Sequence, residues 1–249
     1  MTGRSEMRHM TILLAGALLV AAAGGCRRYF PPDPAHDVDI IASDGTVLKA
    51  SYFSPGKVGP GILLFHQCNM DRHAWDTLTP DLVSAGFHVL TFDQRGFGGT
   101  PGTSGPADEQ KSASDADAAY AYLLSKHDVD TGRLAAGGAS CGVAYSARLA
   151  TRRHEIKALL FLSGWADEQS RAYLSATPSL AVFGAASGTS DVAETRQAVA
   201  ASPHPQSILR IVRGSAHGVA MFEADADLKL SVVKWLTARF ASDAARAAR

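Results

Sequence analysis

The segment Gly61-Ile62-Leu63-Leu64-Phe65 carries no polar side chain. A short, unbroken apolar run suits a strand that is buried on both faces, as in a parallel sheet. Strand-like runs return at Phe87 to Phe92, Leu134 to Gly138, Ala158 to Leu162, Leu180 to Phe183 and Ser207 to Val212. Between them, apolar residues recur at helical spacing. Trp75, Leu78, Leu82 and Val83 form one such stripe; Ala116, Ala119, Tyr120 and Leu123, within Ser112 to Leu124, form another. Val143 to Ala150, Val192 to Ala200 and Leu228 to Phe240 also read as helices. This alternation predicts an α/β fold, a mostly parallel central sheet with helices on both faces. At the start, Val38 to Ala42 and Val47 to Phe53 flank the turn signal Asp44-Gly45, which predicts an antiparallel hairpin. Ligands of such sheets bind beyond the carboxyl ends of the strands, so the loops after strands matter most.

The chain has 249 residues, 46% hydrophobic and 19% charged, enough for one sizeable core. Lys+Arg and Asp+Glu are 24 each, so no basic footprint for a nucleic-acid partner is expected. The nine His are scattered without metal-ligand spacing, so neither a metal nor another cofactor is expected. Arg4, Arg8 and His9 precede an apolar run from Thr11 to Ala23. A spanning helix needs about 20 apolar residues, so this run reads as an export signal. It ends in Ala23-Gly24-Gly25-Cys26, which resembles the bacterial lipoprotein signal, with Ala23 where that signal usually has Leu. The resemblance implies lipidation of Cys26. Arg27, where Asp would resemble an inner-membrane retention signal, leans towards the outer membrane facing the periplasm. The alternatives are a plain secreted protein or an uncleaved anchor. The expected division is residues 1–25 signal peptide, 26–36 tether with Pro31, Pro32 and Pro34, 37–240 folded domain and 241–249 tail.

Chemistry concentrates in Gly138-Ala139-Ser140-Cys141-Gly142, between a buried strand and a helix. In G-x-S-x-G the Ser sits on a strained strand-to-helix turn, and side chains two before and two after it would collide. The helix N-terminus offers N–H groups and a positive dipole end to a developing oxyanion. Ser140 is therefore the expected nucleophile. For Cys141 the flanking residues would be Ala139 and Val143, where the turn wants none of that bulk. A Ser nucleophile needs a base. His217, in Gly214-Ser215-Ala216-His217-Gly218, follows the last strand and is the expected base. His36, His73, His127, His154 and His204 read as solvated loop residues, and His88 as a core or edge residue.

These features resemble the α/β-hydrolase superfamily, most of all its compact branch around dienelactone hydrolases. Asp93-Gln94-Arg95-Gly96-Phe97-Gly98-Gly99-Thr100 resembles that family's D-x-R-G-x-G-x-S stretch, and Phe65-His66-Gln67-Cys68-Asn69 stands at its His-Gly oxyanion loop. The likeness runs from about Val38 to Phe240. Two departures are plain: Gln67 replaces the Gly, and Ser140 stands where dienelactone hydrolases use Cys. The resemblance implies an oxyanion hole from the N–H of Cys141 and of Gln67, or alternatively Cys68. It gives His66 a loop-organising place near the substrate. It puts the acid about three residues after Gly184, where Ser187 stands; Asp191 is the nearest carboxylate, and Asp167, after the preceding strand, is the alternative. Asp191 also suits a helix cap. Cys68 and Cys141 would both flank the oxyanion hole, within reach of a disulfide. The connection from Leu162 to Leu180 is too short for a full cap domain and places Trp165 at the acyl site or beneath the loop. The expected function is a serine hydrolase acting on a small-molecule carboxylic ester, with membrane attachment through the lipid anchor. The rival is a degenerate hydrolase lacking its acid and serving as a binding lipoprotein.

Overall fold

The computed structural model describes residues 36–103 and 108–247. The expected signal peptide, Cys26 and almost all of the expected tether lie outside the described residues. Eight strands are present among them: β1 (His36–Ile41), β2 (Val47–Phe53), β3 (Gly59–Phe65), β4 (His88–Phe92), β5 (Val129–Ala139), β6 (Ile156–Leu162), β7 (Ala181–Ala186) and β8 (Ile208–Ile211). The helices are α1 (Thr79–Ser84), α2 (Glu109–Leu124), α3 (Cys141–Arg152), α4 (Glu168–Ala176), α5 (Thr189–Ala200), α6 (Met221–Ala224) and α7 (Leu228–Ala247).

All eight strands join one sheet in the order β1-β2-β4-β3-β5-β6-β7-β8. The leading hairpin pairs antiparallel, His36 opposite Tyr52 and Ile41 opposite Val47, and β2 pairs antiparallel with β4. From β4 to β8 every pairing is parallel. Period-two alternation divides the core between two faces. Leu63, Phe65, Leu90, Phe92, Leu159 and Phe161 pack on one side with residues of α2, α3, α4 and α5. Ile62, Leu64, Val89, Leu160 and Phe183 pack on the other with Trp75, Leu82, Val232, Leu236 and Phe240. This is the α/β-hydrolase fold.

Local differences from the sequence reading have physical causes. The Trp75–Val83 stripe is a 3-10 turn, Arg72–Trp75, followed by α1, whose first turn holds Pro80. Proline lacks the N–H that a continuous helix would need there and favours a helix start. Helix α4 lies in the short connection from Leu162 to Leu180, where no helix was expected; it buries only Ser170 and Leu174, so its apolar pattern is faint. β5 begins at Val129, five residues before the apolar run, because its first residues pair with Gly59 and Pro60. Residues 241–247 of the expected tail continue α7.

Candidate active site

Ser140 is the single residue between β5 and α3, with φ 52° and ψ −122°. Such a backbone costs a non-glycine residue about 1–3 kcal/mol, so its surroundings must impose it. The Ser140 N–H donates to Leu162 O (2.8 Å), and the Val143 N–H donates to Ser140 O (3.0 Å). A Cβ on Gly138 would lie 2.0 Å from Gly142 O, and one on Gly142 would lie 2.4 Å from Phe65 O. A Cβ on Gly164 would lie 2.4 Å from Ser140 O. The G-x-S-x-G spacing is thus a steric requirement, and the loop after β6 supplies a third glycine that the motif does not include. Ser140 Oγ has no hydrogen-bond partner among the described residues.

His217 leads into a 3-10 turn, Gly218–Ala220, beyond β8. Its Nδ1 is 2.6 Å from Asp191 Oδ2. The carboxylate accepts the Nδ1 proton, so Nε2 is left as the basic nitrogen. Asp191 sits in the first turn of α5, whose cap is Gly188, so Asp191 does not cap the helix. Ser187, at the position where the resemblance puts the acid, is buried, and its Oγ donates to Ala216 O.

Asp167, the alternative acid, belongs elsewhere. It caps α4 by accepting from the Ser170 N–H (2.8 Å) and pairs with Arg148 Nε (2.5 Å). Burial opposes its charge, but those two hydrogen bonds outweigh burial and hold its carboxyl below the ordinary range. A cavity of about 190 Å³ opens beside it, lined by Glu109, Tyr145, Arg148 and Arg152, and Ser140, His217 and Asp191 do not line it.

The loop after β3 is rigidly supported. His66 Nε2 accepts from the Gln94 N–H (3.0 Å), which places the ring proton on Nδ1, where it donates to Gln67 O (2.8 Å). Burial pushes the His66 pKa down, against the raising effect of that Gln67 bond. With both nitrogens used and the ring fully buried, His66 organises the loop and does not reach substrate, which corrects its place among the substrate-binding residues. Asp93 accepts from the Arg72 N–H (2.8 Å), Arg72 Nη1 (2.7 Å) and the Gly99 N–H (2.8 Å), bracing the same region.

Cys68 and Cys141 form a disulfide with Cα atoms 5.9 Å apart. It joins the oxyanion loop to the residue after Ser140, and it removes the Cys141 thiol as a nucleophile. No backbone carbonyl among the described residues accepts from the N–H of Gln67, Cys68 or Cys141. Trp165 follows Gly164 and is 43% exposed, while Met70, on the loop after β3, is 39% exposed. Trp165 is thus a rim residue and does not pack beneath its loop. Met70 was not singled out by sequence, since a single Met in a polar loop gives no periodic signal. Among the described residues, no group of His, Cys, Asp and Glu is arranged to hold a metal ion.

Residues 59–197, more than half of the chain, match the family model described as serine aminopeptidase, S33. The chain belongs to this family. The stretch of this S33 family member that matches holds Ser140 and Asp191 and stops short of His217. An uncharacterized protein of Mycobacterium tuberculosis is 39% identical over 119 residues, 47% of this chain and 41% of its own length. The uncharacterized protein YfhR of Escherichia coli is 34% identical over 128 residues, 46% of this chain and 42% of its own. The chain thus spans about two fifths of the length of these curated relatives. The esterase Pf2001 of Pyrococcus furiosus superposes with a TM-score of 0.64 at 17% identity, covering 81% of this chain and 89% of its own. The dienelactone hydrolase of Anabaena variabilis gives 0.65 at 16% identity, covering 86% and 99%. Both share the fold of this chain.

Proposed function

We propose that this protein is an exported serine hydrolase that cleaves a carboxylic ester through an acyl-enzyme on Ser140. The observation that carries this reading is the 2.6 Å hydrogen bond from His217 to Asp191. It supplies the acid whose expected place Ser187 occupies, and so removes the main support for a degenerate binding protein.

His217, held in the Nδ1–H tautomer by Asp191, takes the Ser140 Oγ proton on Nε2 as Oγ attacks the ester carbonyl. The tetrahedral oxyanion rests on the N–H of Cys141 and of Gln67, with Cys68 as the alternative second donor. Loss of one such donor typically costs about 10²–10³ in rate. Protonated His217 then delivers its proton to the leaving alcohol. Water, deprotonated by the same ring, releases the acid and restores Ser140. Trp165 and Met70 form an apolar rim for the acyl or alcohol group.

The test is turnover of short p-nitrophenyl esters by the mature protein, with fluorophosphonate labelling of Ser140. Ester hydrolysis that vanishes in Ser140→Ala supports the reading. Absence of both turnover and labelling defeats it, and preference for aminoacyl arylamides would replace the ester with an amide.

The membrane is a partner in the same reading, through a lipid on Cys26. The Cys68–Cys141 disulfide supports export, because such bonds persist in oxidising compartments. Intact mass of the mature N-terminus tests the anchor; an unmodified Cys26 would rule it out.

A further inference from the structure

The loop that carries His217 is held on both sides of the histidine by side chains. On one side, the buried Ser187 hydroxyl donates to the carbonyl of Ala216. On the other, Gln67 Oε1 accepts from the N–H of Val219 (3.2 Å), across 152 residues of sequence. Gln67 Nε2 donates to Asn69 Oδ1 (2.8 Å), which fixes the amide's orientation. Gly218 makes room for this contact: it has φ 60°, and a Cβ there would lie 2.1 Å from Gln67 Oε1. Both Gln67 and Ser187 are more than nine-tenths buried. A buried polar side chain is retained at low cost only when its hydrogen bonds are made, and Gln67 Oε1 and Ser187 Oγ both spend theirs on one loop. Both also stand where the sequence departs from the pattern it resembles, Gln67 in place of Gly and Ser187 in place of the acid. With the carboxylate moved from 187 to 191, position 187 is free to hold the loop that the carboxylate orients.

We infer that Gln67 and Ser187 are positioning residues that clamp the His217 loop, Gln67 also tying the base to the oxyanion loop from which its own N–H donates. The inference rests on reading His217 as the base. Gln67→Met keeps the side-chain length and removes the acceptor; Gln67→Glu keeps an acceptor oxygen for Val219. A displaced base can cost about a hundredfold, so Gln67→Met should lower kcat by about tenfold to a hundredfold with KM nearly unchanged. Gln67→Glu should recover most of that loss, and Ser187→Ala should lower kcat in the same way.

The deciding measurement is the downfield proton resonance of His217 Nδ1–H, followed by NMR in wild type and variants. It should broaden or vanish in Gln67→Met and Ser187→Ala and return in Gln67→Glu. A Gln67→Met protein with wild-type kcat and resonance overturns the clamp. So does a loss that Gln67→Glu fails to restore. Should Gln67→Met not fold, the resonance in Ser187→Ala decides. The resonance needs no turnover, so a wild type that hydrolyses no ester would sink the ester reading and leave the clamp to be judged by NMR.

Discussion

Removing the Cys68–Cys141 disulfide, by reduction or by the double variant Cys68→Ala/Cys141→Ala, should separate stability from catalysis in a calculable way. The bond closes a loop with a sequence separation of 73. The loop-closure relation for a ring of that size gives about 4 kcal/mol, lost through a freer unfolded chain. For a domain of this size, 1 kcal/mol moves the melting midpoint by about 2–4 °C, so the midpoint should fall by about 8–16 °C. The folded state should survive the change. β3 and β5 pair residue by residue up to Phe65 and Gly138, just short of the two cysteines, and hold their ends together without it. What loosens is the loop from Gln67 to Met70 and its N–H donors. The kcat for an ester should therefore drop, by less than the about 10²–10³ that deletes a donor outright. Cys68 is exposed, so dithiothreitol reaches it. The assay is a thermal melt and a steady-state profile with and without reductant, the double variant serving as control. A reduced protein that melts with the oxidised one would refute the loop-closure argument. Unchanged kcat would show that the loop needs no covalent tie.

Asp191→Asn should lower kcat by about 10⁴, as loss of an orienting acid does elsewhere. Asp167→Ala should leave kcat alone and cost about 1–2 kcal/mol in urea melts, through the lost α4 cap and Arg148 pair; reversed effects would exchange their roles. Gly164→Ala should reduce fluorophosphonate labelling of Ser140 even in folded protein, since its Cβ would lie 2.4 Å from Ser140 O. Burial lowers the pKa of both His66 and His88 from the ordinary 6.5. Between the lowered values and 6.5 the unfolded chain binds protons that the folded one refuses, so stability should fall as pH drops below that value. Urea midpoints that stay flat from about pH 8 to about pH 5.5 would contradict this.

The sheet was legible because its strands are short, apolar and separated by helical stripes; Ile62 and Leu64 face one layer and Leu63 and Phe65 the other. Ser140 was legible because its turn tolerates so few residues. His217 stood out by its place after the last strand. The acid was harder to read, since Asp191 and Asp167 both follow strands, and only the fold shows that one meets His217 while the other caps α4. Helix α4 escaped notice because a nine-residue helix lying on a core needs few apolar residues. The contact of Gln67 with Val219 had no local signature at all. It depends on two loops that meet only when β3, β5 and the segment after β8 are in place.

The three glycines packed around Ser140 also govern how this chain can change. Each faces backbone or a fixed side chain at 2.0–2.4 Å, so a single-base mutation that adds even a methyl group there perturbs the turn itself. Neutral drift is closed at Gly138, Gly142 and Gly164. It stays open nearby at Met70 and Trp165, whose side chains are exposed. In a mutational library, the positions that flank the serine should appear nearly invariant while the rim varies freely. New substrate preferences would then arise by exchanging rim side chains, with the nucleophile's geometry inherited unchanged.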